Sequence, residues 1–217
     1  MSIFRRLAAT VALLAVAAVS GAGPGVAAGA TAAPRLSAQD MADIARVEEY
    51  LDGVRTLKSR FIQITGGRQA TGTFYLSRPG RMRLEYDPPA KDFVVADGVS
   101  LVYWDGEMNQ QSDAPIGSTL ADFILRKDLK LSGDIGVTGV ARGPGAIEIG
   151  LTETKDAGKG TLTLVFEDRP LRLRKWRVLD AQGTTTEVAL LNPQFGVALE
   201  RGLFVFHDPR GEHSSAR

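Results

Sequence analysis

Residues 76–98 read Leu76-Ser77-Arg78-Pro79-Gly80-Arg81-Met82-Arg83-Leu84-Glu85-Tyr86-Asp87-Pro88-Pro89-Ala90-Lys91-Asp92-Phe93-Val94-Val95-Ala96-Asp97-Gly98. Arg78-Pro79-Gly80 is a turn that ends one strand. In the strand that follows, Met82, Leu84 and Tyr86 alternate with Arg81, Arg83 and Glu85, so one face is apolar and the other charged. Past Pro88-Pro89, a short strand over 93–96 runs into Asp97-Gly98, a hairpin signal, and residues 101–104 form the returning strand. Consecutive hairpins of this kind predict a curved antiparallel sheet.

The same grammar extends in both directions. Upstream, residues 57–65 and 71–77 read as strands about a Gly66-Gly67 turn. Downstream, Asp105-Gly106 closes a turn onto a short polar strand over 109–112. Strands follow over 135–142, 146–151, 160–167, 171–179 and 184–192, separated by Gly-, Asp- and Pro-bearing turns. Residues 203–206 read as a last edge strand. One helix precedes this series and a second interrupts it. Ser37 with Asp40 caps the first, whose apolar positions Met41, Ile44, Val47, Leu51 and Val54 recur at steps of three or four. Ser118 or Thr119 begins the second, over 120–126, with Leu120, Phe123 and Ile124 on one side. About ten strands with two single-striped helices predict a long sheet that curls, its concave face covered by the helices. A closed barrel and a sandwich are the alternatives.

Composition sets the outer bounds. The chain has 217 residues, enough for one domain with its own core. Arg5-Arg6, an apolar run over 7–19 and small residues up to Val26-Ala27-Ala28 have the order of a secretory leader, removed after Ala28 or as late as Ala33. Residues 29–36 then form a flexible lead-in, 37–210 the single domain and 211–217 a polar tail. With no cysteine there is no disulfide, thiolate metal site, catalytic thiol or lipid-bearing amino-terminal Cys. Without the leader's two arginines the chain carries 24 basic and 25 acidic side chains, near −1, which gives no field favouring nucleic acid or an anionic membrane.

No reactive constellation stands out. His207 and His213 are the only imidazoles, there is no Gly-x-Ser-x-Gly elbow, and Gly158-Lys159-Gly160-Thr161 lacks the first glycine of a phosphate loop. Glu85 and Asp87 share a strand face, as acidic pairs on solvated strands commonly do. No His, Asp or Glu set has metal-ligand spacing, and no cofactor is implied. What remains is apolar surface: Phe61, Phe74, Leu76, Met82, Leu84, Tyr86, Phe93, Val95, Leu101 and Tyr103 are either core or the wall of a hollow that takes a guest.

Phe61-x-Gln63, Gly72-x-x-Tyr75-Leu76, the block Arg78 to Tyr86, and Val95-Ala96-Asp97-Gly98 followed by Leu101, Tyr103 and Trp104 resemble the outer-membrane lipoprotein carrier proteins, LolA. The resemblance implies a mainly β (α+β) fold with two or three helices, an incomplete, half-open antiparallel β-barrel with a helical lid. It also implies a non-enzymatic periplasmic monomer that receives acylated lipoproteins from an inner-membrane ABC transporter complex and delivers them to an outer-membrane receptor. Within it, the ten apolar residues above form the acyl-chain cavity, Ile44, Val47, Leu51, Val54, Leu120, Phe123 and Ile124 form the lid, and Arg78 latches it. Leu84 stands where family members often carry Trp. The alternatives are the lipid-anchored receptor itself, which the missing Cys disfavours, a periplasmic lipid- or lipoprotein-binding sensor, and a hydrolase acting on lipid or glycan.

Overall fold

The computed structural model describes residues 35–211. The expected leader at 1–28, most of the lead-in and residues 212–217 of the tail lie outside them. A helix, α1 (Ala38–Gly53), opens the described chain. Ser37 caps it: the Asp40 amide donates to Ser37 Oγ at 3.1 Å, and the Ser37 amide donates back to the Asp40 carboxylate at 2.8 Å. Two orphan amides of the first turn are thereby satisfied.

Eleven strands follow: β1 (Thr56–Thr65), β2 (Arg68–Ser77), β3 (Arg81–Tyr86), β4 (Phe93–Asp97), β5 (Ser100–Asp105), β6 (Gln110–Pro115), β7 (Ile135–Gly143), β8 (Ala146–Glu153), β9 (Gly160–Glu167), β10 (Arg172–Asp180) and β11 (Thr185–Phe195). They form one antiparallel sheet in the order β6-β5-β4-β3-β2-β1-β11-β10-β9-β8-β7. Only the β1–β11 pairing is not between sequence neighbours, and it joins the two halves of the sheet at its centre. The edge strands β6 and β7 do not pair with each other, so the sheet curls without closing. Polar Gln110, Gln111, Ser112 and Asp113 blunt one edge, and a bulge between Val137 and Gly139 disturbs the other.

Parity decides the two faces. On β1, Leu57, Ser59, Phe61, Gln63 and Thr65 are buried, while Lys58, Arg60 and Ile64 are exposed. Across the strand pair, Phe61 sits opposite Gly72. A Cβ on Gly72 would come within 2.1 Å of the Glu85 carbonyl and 2.6 Å of the Phe61 ring, so the close packing of β2 on that ring requires glycine. Gly72→Ala is expected to destabilise the fold by about 1–3 kcal/mol through overpacking, read as a lowered denaturation midpoint at unchanged m-value.

Three sequence expectations need correction. Met41 is 57% exposed, and the buried line of α1 is Asp43, Val47 and Leu51. A carboxylate takes an inward position because cations reach it from two sides: Arg142 Nε of β7 donates to Asp43 at 2.8 Å and Arg46 Nη1 at 2.9 Å. Arg46 continues to Asp168 at 2.9 Å and Arg142 to Asp40 at 2.8 Å, which stakes the first half of α1 to the far half of the sheet. Second, the helix expected over 120–126 is a 3₁₀ turn at Ile116–Ser118 followed by α2 (Asp122–Leu125). The Ser118 and Thr119 hydroxyls donate back to the Pro115 and Ile116 carbonyls at 2.7 and 2.8 Å, so neither caps α2. Third, residues 203–206 are not a strand. Arg201–Phe204 is a 3₁₀ turn, and Phe206 lies 5.8 Å from the Phe93 ring and 6.4 Å from that of Trp104, on the convex side of the sheet.

The Asp43 cluster makes a pH prediction. Burial pushes its carboxyl up, but the hydrogen bonds from Arg142, Arg46 and Gln39 outweigh that and hold it below its ordinary value. A carboxyl whose folded pKa lies below the unfolded value of about 3.9 contributes stability in full above that pH and loses it as pH falls through the folded value. Melting temperature should therefore drop more steeply below about pH 4 in the parent protein than in Asp43→Asn. Parallel drops would show that the cluster adds nothing.

Candidate functional site

The concave face is mostly apolar. The β3–β4 and β4–β5 registers put Met82, Leu84, Val94, Ala96, Leu101 and Tyr103 on it, beside Phe61, Phe74 and Leu76 of β1 and β2. The second half of the sheet contributes Leu162, Trp176, Val178 and Val188. Of the ten residues expected to line a cavity, eight lie on this face. Phe93 and Val95 lie on the other one, because they pair with Glu85 and Arg83 and not with Leu84. There Arg83 rests 4.8 Å from the Phe93 ring centroid, and its Nη1 donates to the Leu203 carbonyl at 3.3 Å. Phe61 and Phe74, 0% and 1% exposed, are filled core beneath the hollow.

Between the concave face and the α2 segment a cavity of about 90 Å³ remains, lined by Met82, Leu84, Tyr86, Val94, Leu101, Trp176, Val178 and Val188 and roofed by Leu120, Ala121 and Ile124. Under α1 a second gap of about 20 Å³ touches Leu51, Val54, Leu57, Phe74 and Leu76. Trp176 and Ile124 line both. In α1, Val47 and Leu51 are buried and Ile44 is partly buried, as is Val54 just past its end, and Phe123 is buried in α2. A cavity of about 150 Å³ suffices for benzene, so with the lid in this position the larger gap is too small for a fatty chain. Any long apolar guest must displace the roof.

Arg78 hydrogen-bonds to the ends of both helices. It follows β2 in the turn to β3, and its side chain is 1% exposed. Nη1 donates to the Leu51 carbonyl in the last turn of α1. Nε and Nη2 donate to the Arg126 carbonyl just past α2, at 3.2 and 2.6 Å, and Nη2 also reaches the Lys127 carbonyl at 3.4 Å. One planar cation thus reaches carbonyls at or just past the ends of both helices, the Leu51 carbonyl also accepting from the Val54 amide at 3.1 Å. Burial pushes its pKa down, and the Asp52 carboxylate, 3.7 Å away, opposes the shift. The segment after α2 is stitched to α1 as well, with the Leu129 amide donating to Asp52 at 3.1 Å and the Leu131 amide to Glu48 at 2.7 Å.

Sequence reasoning missed Trp176, Val178 and Val188, and the carboxylates Glu48 and Asp52. It also missed a polar group inside the cavity: Gln63 and Thr186 are buried on its wall next to Tyr86. The signal for Gln63 was its parity with Leu57 and Phe61 on β1. Among the described residues no group of three or more His, Cys, Asp or Glu side chains could hold a metal ion, and no helix is long and apolar enough to cross a membrane.

An unclosed antiparallel sheet, with helices roofing a mostly apolar hollow, defines a lidded half-barrel. Residues 52–207 match the family model described as outer membrane lipoprotein carrier protein LolA, and the chain belongs to that family. Relatives named outer-membrane lipoprotein carrier protein include one from Methylococcus capsulatus, 25% identical over 175 residues (76% of this chain, 84% of the relative). Another, from Pseudomonas syringae pv. syringae, is 28% identical over 183 residues (79% and 87%). Among solved structures, a LolA superfamily protein from Nitrosomonas europaea aligns with TM-score 0.42 and 9% identity, covering 75% of this chain and 97% of that one.

Proposed function

We propose that the protein is a non-enzymatic periplasmic carrier, a monomer that takes acylated lipoproteins from an inner-membrane ABC transporter complex and passes them to an outer-membrane receptor. The observation that carries this reading is Arg78, a single buried cation joining both lid helices over the apolar face. Family membership and the carrier relatives support it. The physical need is plain: at about 0.8 kcal/mol per methylene, a 16-carbon chain resists water by roughly 12 kcal/mol, so an acylated protein does not cross an aqueous compartment unaided. A carrier must shelter those methylenes and still release them. Opening the lid supplies the shelter, and the return of Leu120, Ala121 and Ile124 to the hollow supplies the release. The mature domain, incubated with inner-membrane vesicles, ATP and a labelled lipoprotein, should bring label into the soluble fraction in an ATP-dependent manner. Label that stays with the vesicles at saturating carrier would overturn the proposal.

A further inference from the structure

The cavity wall is not uniformly apolar. Tyr86 Oη donates to Gln63 Oε1 at 2.8 Å, Gln63 Nε2 donates to Thr65 Oγ1 at 3.3 Å, and Thr65 Oγ1 shares a hydrogen bond with Thr186 Oγ1 at 3.0 Å. Gln63, Thr65 and Thr186 are each 7% exposed. Four side chains from β1, β3 and β11 therefore make one buried polar chain, and Gln63, Tyr86 and Thr186 face the hollow.

The donors outnumber the acceptors used. Tyr86 spends its hydroxyl hydrogen on Gln63. Gln63 carries two N–H groups and spends one. The threonine pair carries two hydroxyl hydrogens and spends one between them, whichever atom donates. Among the described residues, one Gln63 N–H and one threonine O–H have no acceptor. Buried donors left without acceptors are costly, and an apolar chain alone would not relieve that cost. A group that is purely an acceptor, narrow and attached to hydrocarbon, would.

We infer that this chain is the recognition point for the carbonyl oxygen of an acyl ester or amide, so that the cavity reads the head of a fatty-acyl group as well as its methylenes. Gln63 lies six residues along β1 from Leu57, which pairs with Leu76 beside Arg78. At about 3.3 Å per residue that is roughly 20 Å. An acyl group thus lies with its carbonyl at Gln63 and its tail running under the helices toward the Arg78 end. The inference rests on the carrier reading and refines it: an acylated cargo is distinguished from a plain alkyl chain.

The test uses two amphiphiles with the same chain and headgroup, 1-palmitoyl-glycerophosphocholine and 1-O-hexadecyl-glycerophosphocholine, which differ by the ester carbonyl. Both are titrated against an apolar fluorescent dye bound to the mature protein. The parent should prefer the ester by on the order of tenfold, the worth of one to two neutral hydrogen bonds. Gln63→Leu should bind both and lose the preference. Equal affinities in the parent, or a preference unchanged in Gln63→Leu, would overturn the inference and leave the carrier reading standing. Failure of both amphiphiles to displace the dye would sink the two together. If Gln63→Leu does not fold, Tyr86→Phe carries the test: it frees the Gln63 amide from its orienting hydroxyl and should shrink the preference, whereas an undiminished preference would refute the assignment.

Discussion

Arg78→Leu is expected to take up acylated lipoprotein and to pass it on at least tenfold more slowly than the parent. The substitution removes every donor that joins the Leu51, Arg126 and Lys127 carbonyls to the β2–β3 turn. Hydrogen bonds to a charged group are worth about 1.5–3 kcal/mol each, so losing two of them shifts the balance between open and closed lid by about 3–6 kcal/mol, at least a hundredfold. Uptake needs an open lid and survives. Release depends on the lid residues returning to displace the acyl chain, and without the latch that return loses its driving force. The two steps separate in a reconstituted assay that scores soluble cargo first and receptor-bound cargo second. The ligand-free variant should also bind an apolar dye more strongly than the parent, because its concave face is exposed more of the time. Transfer at the parent's rate would remove Arg78 from the mechanism.

Trp176→Ala should lower stability by about 3–5 kcal/mol, the range for deleting a buried aromatic, which at 2–4 °C per kcal/mol is a fall of roughly 6–20 °C in Tm. Trp176 is 8% exposed, its ring centroid lies 5.2 Å from that of Phe74, and it stands between the two gaps under the lid. Truncation joins those gaps into one larger hollow with mostly apolar walls, which gives an apolar guest more room. Ligand binding stabilises the folded state by mass action, so a palmitoyl amphiphile should raise Tm more in the variant than in the parent. A variant that melts within about 2 °C of the parent would mean that Trp176 is not part of the packed interior.

The strands were legible because turn residues punctuate them: Arg78-Pro79-Gly80, Asp97-Gly98 and Asp105-Gly106 each end a strand where the structure ends one. Parity within β3 placed Met82 and Leu84 on the concave face correctly. It failed in β4, where Phe93, Val94, Val95 and Ala96 are all apolar and only the pairing partner decides the face. Both faces are buried there, since the carboxy-terminal segment with Phe204 and Phe206 covers the convex side. In β10 the register shifts between Leu173 and Lys175, which brings Leu173 and Trp176 to the same face, whereas strict alternation separates them. Asp43 was not legible. Its burial depends on Arg142, 99 positions away, and helical periodicity carries no information about a partner on another element.

The most direct measurement is the distance between spin labels at Arg68→Cys, in the β1–β2 hairpin, and Lys127→Cys, in the lid, both exposed positions in a chain with no native cysteine. A triacylated lipopeptide should lengthen that distance, and the same peptide without its acyl chains should leave it unchanged. Stoichiometric binding of the lipopeptide with no change in distance would contradict the account, because the closed hollow has no room for the chains it is held to carry.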